Sequence, residues 1–148
     1  MNVSEIMTKN PACCVDTTSL HDAAQMMADH DCGCIPVVDD QENKKPVGTI
    51  TDRDITIRAL AHNKNPLNMV VGEIMSEHPV TIGEDASFDE CFRTMEKNQI
   101  RRILVVGEKG ECVGIVAQAD FARKAGCEHE TAELVKEVSA GSVGSAAA

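Results

Sequence analysis

The chain is written twice. "VSEIMTKNP" at 3–11 returns as "VGEIMSEHP" at 71–79, a shift of 68 residues. At that shift Ser19 meets Ser87, Met27 meets Met95, Ile35 meets Ile103, and the "VV" at 37–38 meets the "VV" at 105–106. Two residues then drop out between the polar turns "DDQENKKPVG" and "GEKGECVG". At the new shift of 66, Val47 meets Val113, Gly48 meets Gly114 and Asp54 meets Asp120. Chance can match an "EIM", but it does not keep one register through separate segments. A repeat constrains the fold because one unit of roughly 60 residues buries little surface and is marginal alone. The expectation is two copies packed as a pseudo-twofold pair, with a cleft between them that carries two related sites.

Each copy has the same local grammar. A short apolar segment ends at Pro11 or Pro79. A Ser-x-x-acid step follows, "SLHD" at 19–22 and "SFDE" at 87–90, which marks a helix start. Leu20, Ala23, Ala24 and Met27 in copy one, and Phe88, Cys91, Phe92 and Met95 in copy two, then repeat at i, i+3, i+4, i+7, one face of an α-helix. "CIPVV" and "ILVVG" read as buried strands, "VGTIT" and "CVGIV" as second strands, and second helices begin near Asp52 and Gln118. With a first strand around Cys13–Val15 or Val80–Ile82, each copy reads strand, helix, strand, strand, helix, an α+β class. The expected domains are repeat one at 1–66, repeat two at 67–126, and a short helix with a disordered tail at 127–148.

Composition narrows the function. The 148 residues hold no Trp or Tyr and three Phe, so the core is mainly aliphatic, with Met27 and Met95 inside it and Met7 and Met75 packing the short lead-in segments. The net charge of -10 argues against nucleic acid and anionic membranes. No apolar run is long enough to span a bilayer, and the first residues show no secretory pattern. The expected location is the cytoplasm, where seven cysteines are thiols rather than a disulfide framework.

"GTITDRD" at 48–54 holds the candidate chemistry. Thr51 can cap the second helix, with Asp54 at its third position. The same arrangement can hold a sugar-phosphate. A helix N-terminus and a hydroxyl suit a phosphate, and a carboxylate one turn in can accept from ribose hydroxyls.

From Val3 to about Ala125 the chain resembles a tandem pair of cystathionine-β-synthase (CBS) domains, a Bateman module. The residues that carry the resemblance are "VSEIMTKNP" and "VGEIMSEHP", "GCIPVVDD" with "VGTITDRDI", and "RRILVVGEKGECVGIVAQADF". The resemblance implies βαββα units, a further homodimer of modules, and a non-catalytic regulatory role. The implied ligand is AMP, ADP, ATP or S-adenosylmethionine, held in the cleft between repeats, with a separate effector protein as listener and no covalent cofactor. Carried over by position, Asp54 and Asp120 match the ribose-binding aspartate, and Thr51 the phosphate-facing hydroxyl. Ala117 takes the threonine's place in copy two. Gly33, Cys34, Ile35 and Pro36 in copy one, and Arg101, Arg102 and Ile103 in copy two, fall in the segment that contributes base and phosphate contacts. Arg53 lies near the phosphate position or faces solvent. Thr81 is a polar candidate beside the base, or a β-branched strand former. Of Arg101 and Arg102, neighbours on an extended chain, one at most faces the cleft.

Cys13, Cys14, Cys32 and Cys34 raise an alternative, a thiol or metal sensor. Neither pair has the C-x-x-C form of a structural zinc site, and copy two places Thr81, Ile82, Ile100 and Arg102 at the matching positions. Packing is the expected role of these cysteines, and no metal site is expected. A purely structural dimerisation module is the remaining alternative.

Overall fold

The Ser-x-x-acid steps start helices as expected. Ser19 Oγ accepts from the Asp22 N–H at 3.0 Å, and Ser87 Oγ from the Glu90 N–H at 3.1 Å. They cap α2 (Leu20–Asp29) and α4 (Phe88–Asn98), which follow α1 (Val3–Ile6) and β1 (Thr8–Lys9) in the chain. The structure, a computed structural model, describes residues 1–125 and 135–139. α2 buries Leu20, Ala23 and Met27, whereas Ala24 faces solvent; α4 buries Cys91 and Met95. The remaining elements are β2 (Cys34–Val38), β3 (Pro46–Thr51), α3 (Asp52–Asp54), β4 (Ser76–Glu77), β5 (Thr81–Gly83), β6 (Arg102–Val106), β7 (Cys112–Ala117) and α5 (Gln118–Ala125). The class is α+β. Among the described residues no helix is long and apolar enough to cross a membrane.

The compact units do not follow the repeat boundaries. One unit joins Met1–Asn10 to Val80–Lys109 and to the chain from Val113 on. The other joins Pro11–Pro79 to Gly110–Cys112. Within the first unit the lead-in of repeat one sits on the elements of repeat two. β1 pairs antiparallel with β7, Thr8 opposite Ile115, in a sheet of order β1-β7-β6-β5. The Val3 N–H donates to Ala86 O at 2.9 Å and the Phe88 N–H to Met1 O at 3.0 Å. Within the second unit the lead-in of repeat two does the same for repeat one. β4 pairs with β3, Ser76 opposite Thr49, in a sheet of order β2-β3-β4. The Val71 N–H donates to Thr18 O at 2.8 Å and the Leu20 N–H to Met69 O at 2.9 Å. These bonds relate by the 68-residue shift, and the strand after each "EIM" completes the other copy's sheet. The left-handed residues repeat too: Asn10 with His78, Asp31 with Gln99, and Lys44 with Gly110.

The first strand survives in only one copy. β5 pairs in parallel with β6, Thr81 opposite Leu104. Around Cys13–Val15 there is only a single bridge, Cys14 to Val37. The chain leaves the sheet there because Val15 enters a turn, its N–H bonded to Thr18 Oγ1 at 3.1 Å and its carbonyl to the Thr18 N–H at 3.1 Å. The second helix of repeat one also departs from plain α. After α3 it widens into a π turn at Ile55–Ala59 and ends in a 3-10 turn at Leu60–His62.

The cores differ in kind. The unit holding repeat two gathers all three phenylalanines. Phe121 meets Phe88 and Phe92 edge-on, with centroids 4.9 and 5.7 Å apart. The unit holding repeat one is built from Leu20, Ile35, Val37, Ile50, Val71 and Ile74 with Cys14, Met27 and Met69. Residues 135–139 are helical and Val138 joins the first core; the rest of the expected C-terminal helix and tail lies outside the described residues.

Candidate functional site

In the repeat-one unit β3 ends at Thr51, still extended at φ -122°, and α3 begins. Thr51 Oγ1 accepts from the Asp54 N–H at 3.0 Å, and Asp54 Oδ2 accepts from the Thr51 N–H at 3.0 Å. This closed box leaves both side chains 2% exposed. The other carboxylate oxygen, Oδ1, lies 3.7 Å from Arg58 Nε, while the Arg58 guanidinium donates to Ile74 O at 3.0 Å. At 3.7 Å the ion pair is longer than a hydrogen bond, so the lone pairs of Oδ1 stay available.

Gly33 and Cys34 reach this junction from the neighbouring strand, with Cys34 opposite Thr51. Gly33 O accepts from the Asp52 N–H at 3.1 Å, and a Cβ on Gly33 would sit 2.8 Å from the Asp52 carboxylate. Asp52 Oδ1 in turn accepts from the Arg53 N–H at 2.8 Å. All three N–H groups of α3 are therefore answered within the chain. Ile35 and Pro36 are buried in β2, Ile35 within the core, and Arg53 is exposed.

In the repeat-two unit β7 ends at Ala117 and α5 begins. Asp120 Oδ2 accepts from the Ala117 N–H at 2.9 Å, the same bond that Asp54 makes. The Ala117 side chain has no oxygen to accept in return, so only half of the box forms. Asp120 is 6% exposed, and its Oδ1 lies 3.6 Å from the exposed Arg123 guanidinium. Arg101 O accepts from the Gln118 N–H at 3.0 Å, which brings the Arg101–Arg102 pair to the helix start. Arg101 is exposed and Arg102, the first residue of β6, is half-buried. Ile103 is buried in the core. Thr81 is exposed on β5, opposite Leu104. Gln118 Oε1 is buried without a hydrogen-bond partner.

The structure thus gathers Gly33, Cys34, Thr51 and Asp54 at one junction and Arg101 and Asp120 at the other. Sequence reading overlooked Arg58 and Arg123, although their i, i+4 and i, i+3 spacing from the aspartates was visible. It also overlooked Asp52, whose contact with Gly33 depends on strand register.

The four repeat-one cysteines do not share one environment. Cys14 is buried, and burial, helped by nearby Cys13 and Cys34, pushes its thiol up to about 12. Cys32 is exposed, just past the end of α2. Among the described residues no group of three or more His, Cys, Asp or Glu side chains is placed to hold a metal ion.

Comparison with known proteins gives these junctions a setting. The CBS domain family model matches residues 3–60 and again 71–126. Hypoxic response protein 1 of Mycobacterium tuberculosis is 35% identical over 134 residues, covering 90% of this chain and 91% of that protein. Its crystal structure with two coordinated zinc ions superposes with a TM-score of 0.73, covering 83% of this chain and 98% of that one. The CBS domain pair of MJ0100, in complex with 5'-methylthioadenosine and S-adenosyl-L-methionine, is 34% identical with a TM-score of 0.72, over 83% of this chain and 98% of that one. L-aspartate semialdehyde sulfurtransferase of Methanocaldococcus jannaschii is 35% identical over 121 residues, but the match covers only 22% of that enzyme. Two matched domains, a shared lead-in motif and the paired aspartates agree: this chain belongs to the CBS domain family and carries two CBS domains in tandem.

Proposed function

We propose that this protein is a non-catalytic regulatory module that binds an adenosyl compound, with Asp54 and Asp120 accepting from ribose hydroxyls. One observation carries the reading. At two equivalent strand-to-helix junctions a buried carboxylate spends one oxygen on the preceding strand and keeps the other beside an arginine, unsaturated. The MJ0100 CBS pair, 34% identical, was solved with two adenosyl compounds. S-adenosylmethionine, AMP, ADP and ATP are the candidates. The first turn of α3 has no unanswered N–H and carries the Asp52 carboxylate, so it disfavours phosphate. The α5 junction, with Arg101 and Arg102, favours it. Thr51 thus serves as a cap, and any phosphate contact falls to repeat two. A homodimer of modules in the cytoplasm, acting on a separate effector protein, completes the proposal.

The test is a thermal-shift panel with methylthioadenosine, S-adenosylmethionine, AMP, ADP and ATP. A ligand at a hundredfold over its Kd stabilises by about 2.7 kcal/mol. Asp54→Asn and Asp120→Asn should each reduce the shift for at least one compound. No shift for any compound at millimolar concentration would sink the reading. The zinc ions in the Mycobacterium relative motivate a metal arm in the same panel. Stoichiometric zinc retained by protein purified without chelator would promote the metal alternative over the nucleotide.

A further inference from the structure

The thiol chemistry that the repeat-one cysteines suggest has a different partner, in the second repeat. Cys13 lies on irregular backbone just before the single bridge at Cys14, half-buried, with its Sγ donating to Pro11 O at 3.3 Å. Cys112 opens β7, buried, and within the same compact unit. One surface turn, 39–45, holds both. Its Gln41 amide donates to Cys13 O at 2.9 Å, and its Lys44 O accepts from the Cys112 N–H at 2.8 Å. Asp40 fixes that turn, taking the N–H groups of Glu42 and Asn43 at 2.9 and 2.6 Å, and Lys44 adopts a left-handed φ of 53°. The two side chains then meet: the Cys112 thiol hydrogen-bonds to the Cys13 sulfur.

We propose that Cys13 and Cys112 are an oxidisable thiol pair, a modification site that a hydroperoxide converts to an intrachain disulfide. Cys13 is the attacking thiol and Cys112 the resolving one. Three observations set the roles. Cys13 is the more accessible of the two. Its pKa lies below the ordinary 9.0 because the Cys112 thiol donates to it, with a smaller contribution from the Lys44 charge, and burial only partly opposes this. The neighbouring Cys14, pushed up to about 12, stays a thiol and does not compete.

The steps balance. The Cys13 thiolate attacks the terminal oxygen of the hydroperoxide and the O–O bond breaks. The alkoxide leaves as an alcohol after taking a proton, and Cys13 becomes a sulfenic acid. The Cys112 sulfur then gives up its proton and attacks the Cys13 sulfur. The S–O bond breaks, and hydroxide leaves with that proton as water. Two thiols have lost two electrons and two protons; the hydroperoxide has become an alcohol and water. The closing sulfurs approach from hydrogen-bonded contact to bonding distance, and the irregular backbone at Cys13, outside any ladder, supplies the movement.

The test uses the full-length reduced protein and hydrogen peroxide, acid-quenched and mapped by non-reducing peptide mass spectrometry. Two of the seven thiols should disappear, in a linked Cys13–Cys112 peptide that dithiothreitol reverses. Cys112→Ser should leave a dimedone-trappable sulfenic acid on Cys13, and Cys32→Ser should leave the link intact. The wild-type map needs no variant, so a misfolded mutant cannot obscure it. A link between any other cysteines, or Cys13 carried to sulfinic acid in the wild type without a link, overturns the proposal.

Discussion

At the end of β3, Thr51 and Asp54 exchange hydrogen bonds in both directions; at the end of β7, Asp120 accepts from the Ala117 N–H, and the Ala117 side chain offers its N–H no acceptor in return. The carboxylate is held at the same place in both halves, with an arginine 3.6 to 3.7 Å from its second oxygen. What differs is the support. Arg58 is anchored to a backbone carbonyl, whereas Arg123 is 72% exposed. The two junctions show that placing the carboxylate and closing the cap are separable tasks. The acid needs only the strand-end N–H to be positioned, and the hydroxyl adds local stability.

The largest expected difference between the halves follows from that support. Asp54→Ala leaves a buried Thr51 N–H without its acceptor and a half-buried guanidinium without its counter-charge. It should destabilise by about 3 kcal/mol. Asp120→Ala strips one N–H bond and a solvated arginine contact, for about 1.5 kcal/mol. Urea unfolding of the two variants checks the order. Equal losses would mean that Arg58 contributes nothing to the first junction.

Paired glycines sharpen the comparison. Gly48 and Gly114 occupy the same repeat position, and each faces a lead-in segment. A Cβ on Gly48 would stand 2.5 Å from the Ser76 backbone oxygen, which is fixed in the β3–β4 ladder. A Cβ on Gly114 would collide with the Met7 side chain, a flexible group rather than ladder backbone. Gly48→Ala should therefore cost about 2.5 kcal/mol, and Gly114→Ala about 1 kcal/mol. Met7→Ala should relieve much of the Gly114→Ala loss in a double-mutant cycle. Additive losses would place Met7 elsewhere in solution.

Much of this was legible in the sequence because the repeat records it. The caps at Ser19 and Ser87, most of the buried faces of α2 and α4, and the acid at each strand end follow from spacing alone. The exchange of lead-in segments was not legible. An "EIM" in register says that two segments do the same job, but not on which copy they do it. The turn at Val15 that ends the first strand rests on a Thr18 side-chain bond, a competition that strand propensity ignores. Ala24 fitted the helix periodicity, yet it faces solvent where its counterpart Phe92 packs against Phe121. Cys112 was overlooked because its partner lies 99 positions away in the chain.

Exchanging the caps tests the separation of tasks directly. Thr51→Ala should convert the first junction into the second and cost about 1 kcal/mol, while Ala117→Thr should gain about 0.5 kcal/mol by answering the Asp120 N–H. Adenosyl-ligand affinity should hardly change in either variant if the carboxylate alone meets the ribose. A large loss of affinity in Thr51→Ala would reassign its hydroxyl from the cap to the ligand.

The smallest effect belongs to the turns between the hairpin strands. Repeat two meets the left-handed position with Gly110 at φ 80°, while repeat one uses Lys44 and steadies the turn with Asp40. The Asn43 N–H, joined by the Asn43 side chain and the Glu42 N–H, holds the Asp40 carboxyl below its ordinary 3.8. A folded-state pKa depressed in this way means that the turn is stabilised above 3.8 and loses that stabilisation as pH falls through the lower folded value. The Asn43 amide, followed by NMR during acid titration, should move with a midpoint below 3.8, and the Gly110 amide should show no transition of the same origin. A midpoint at or above 3.8 would mean that these hydrogen bonds do not persist in solution and that Lys44 is held by the strands alone.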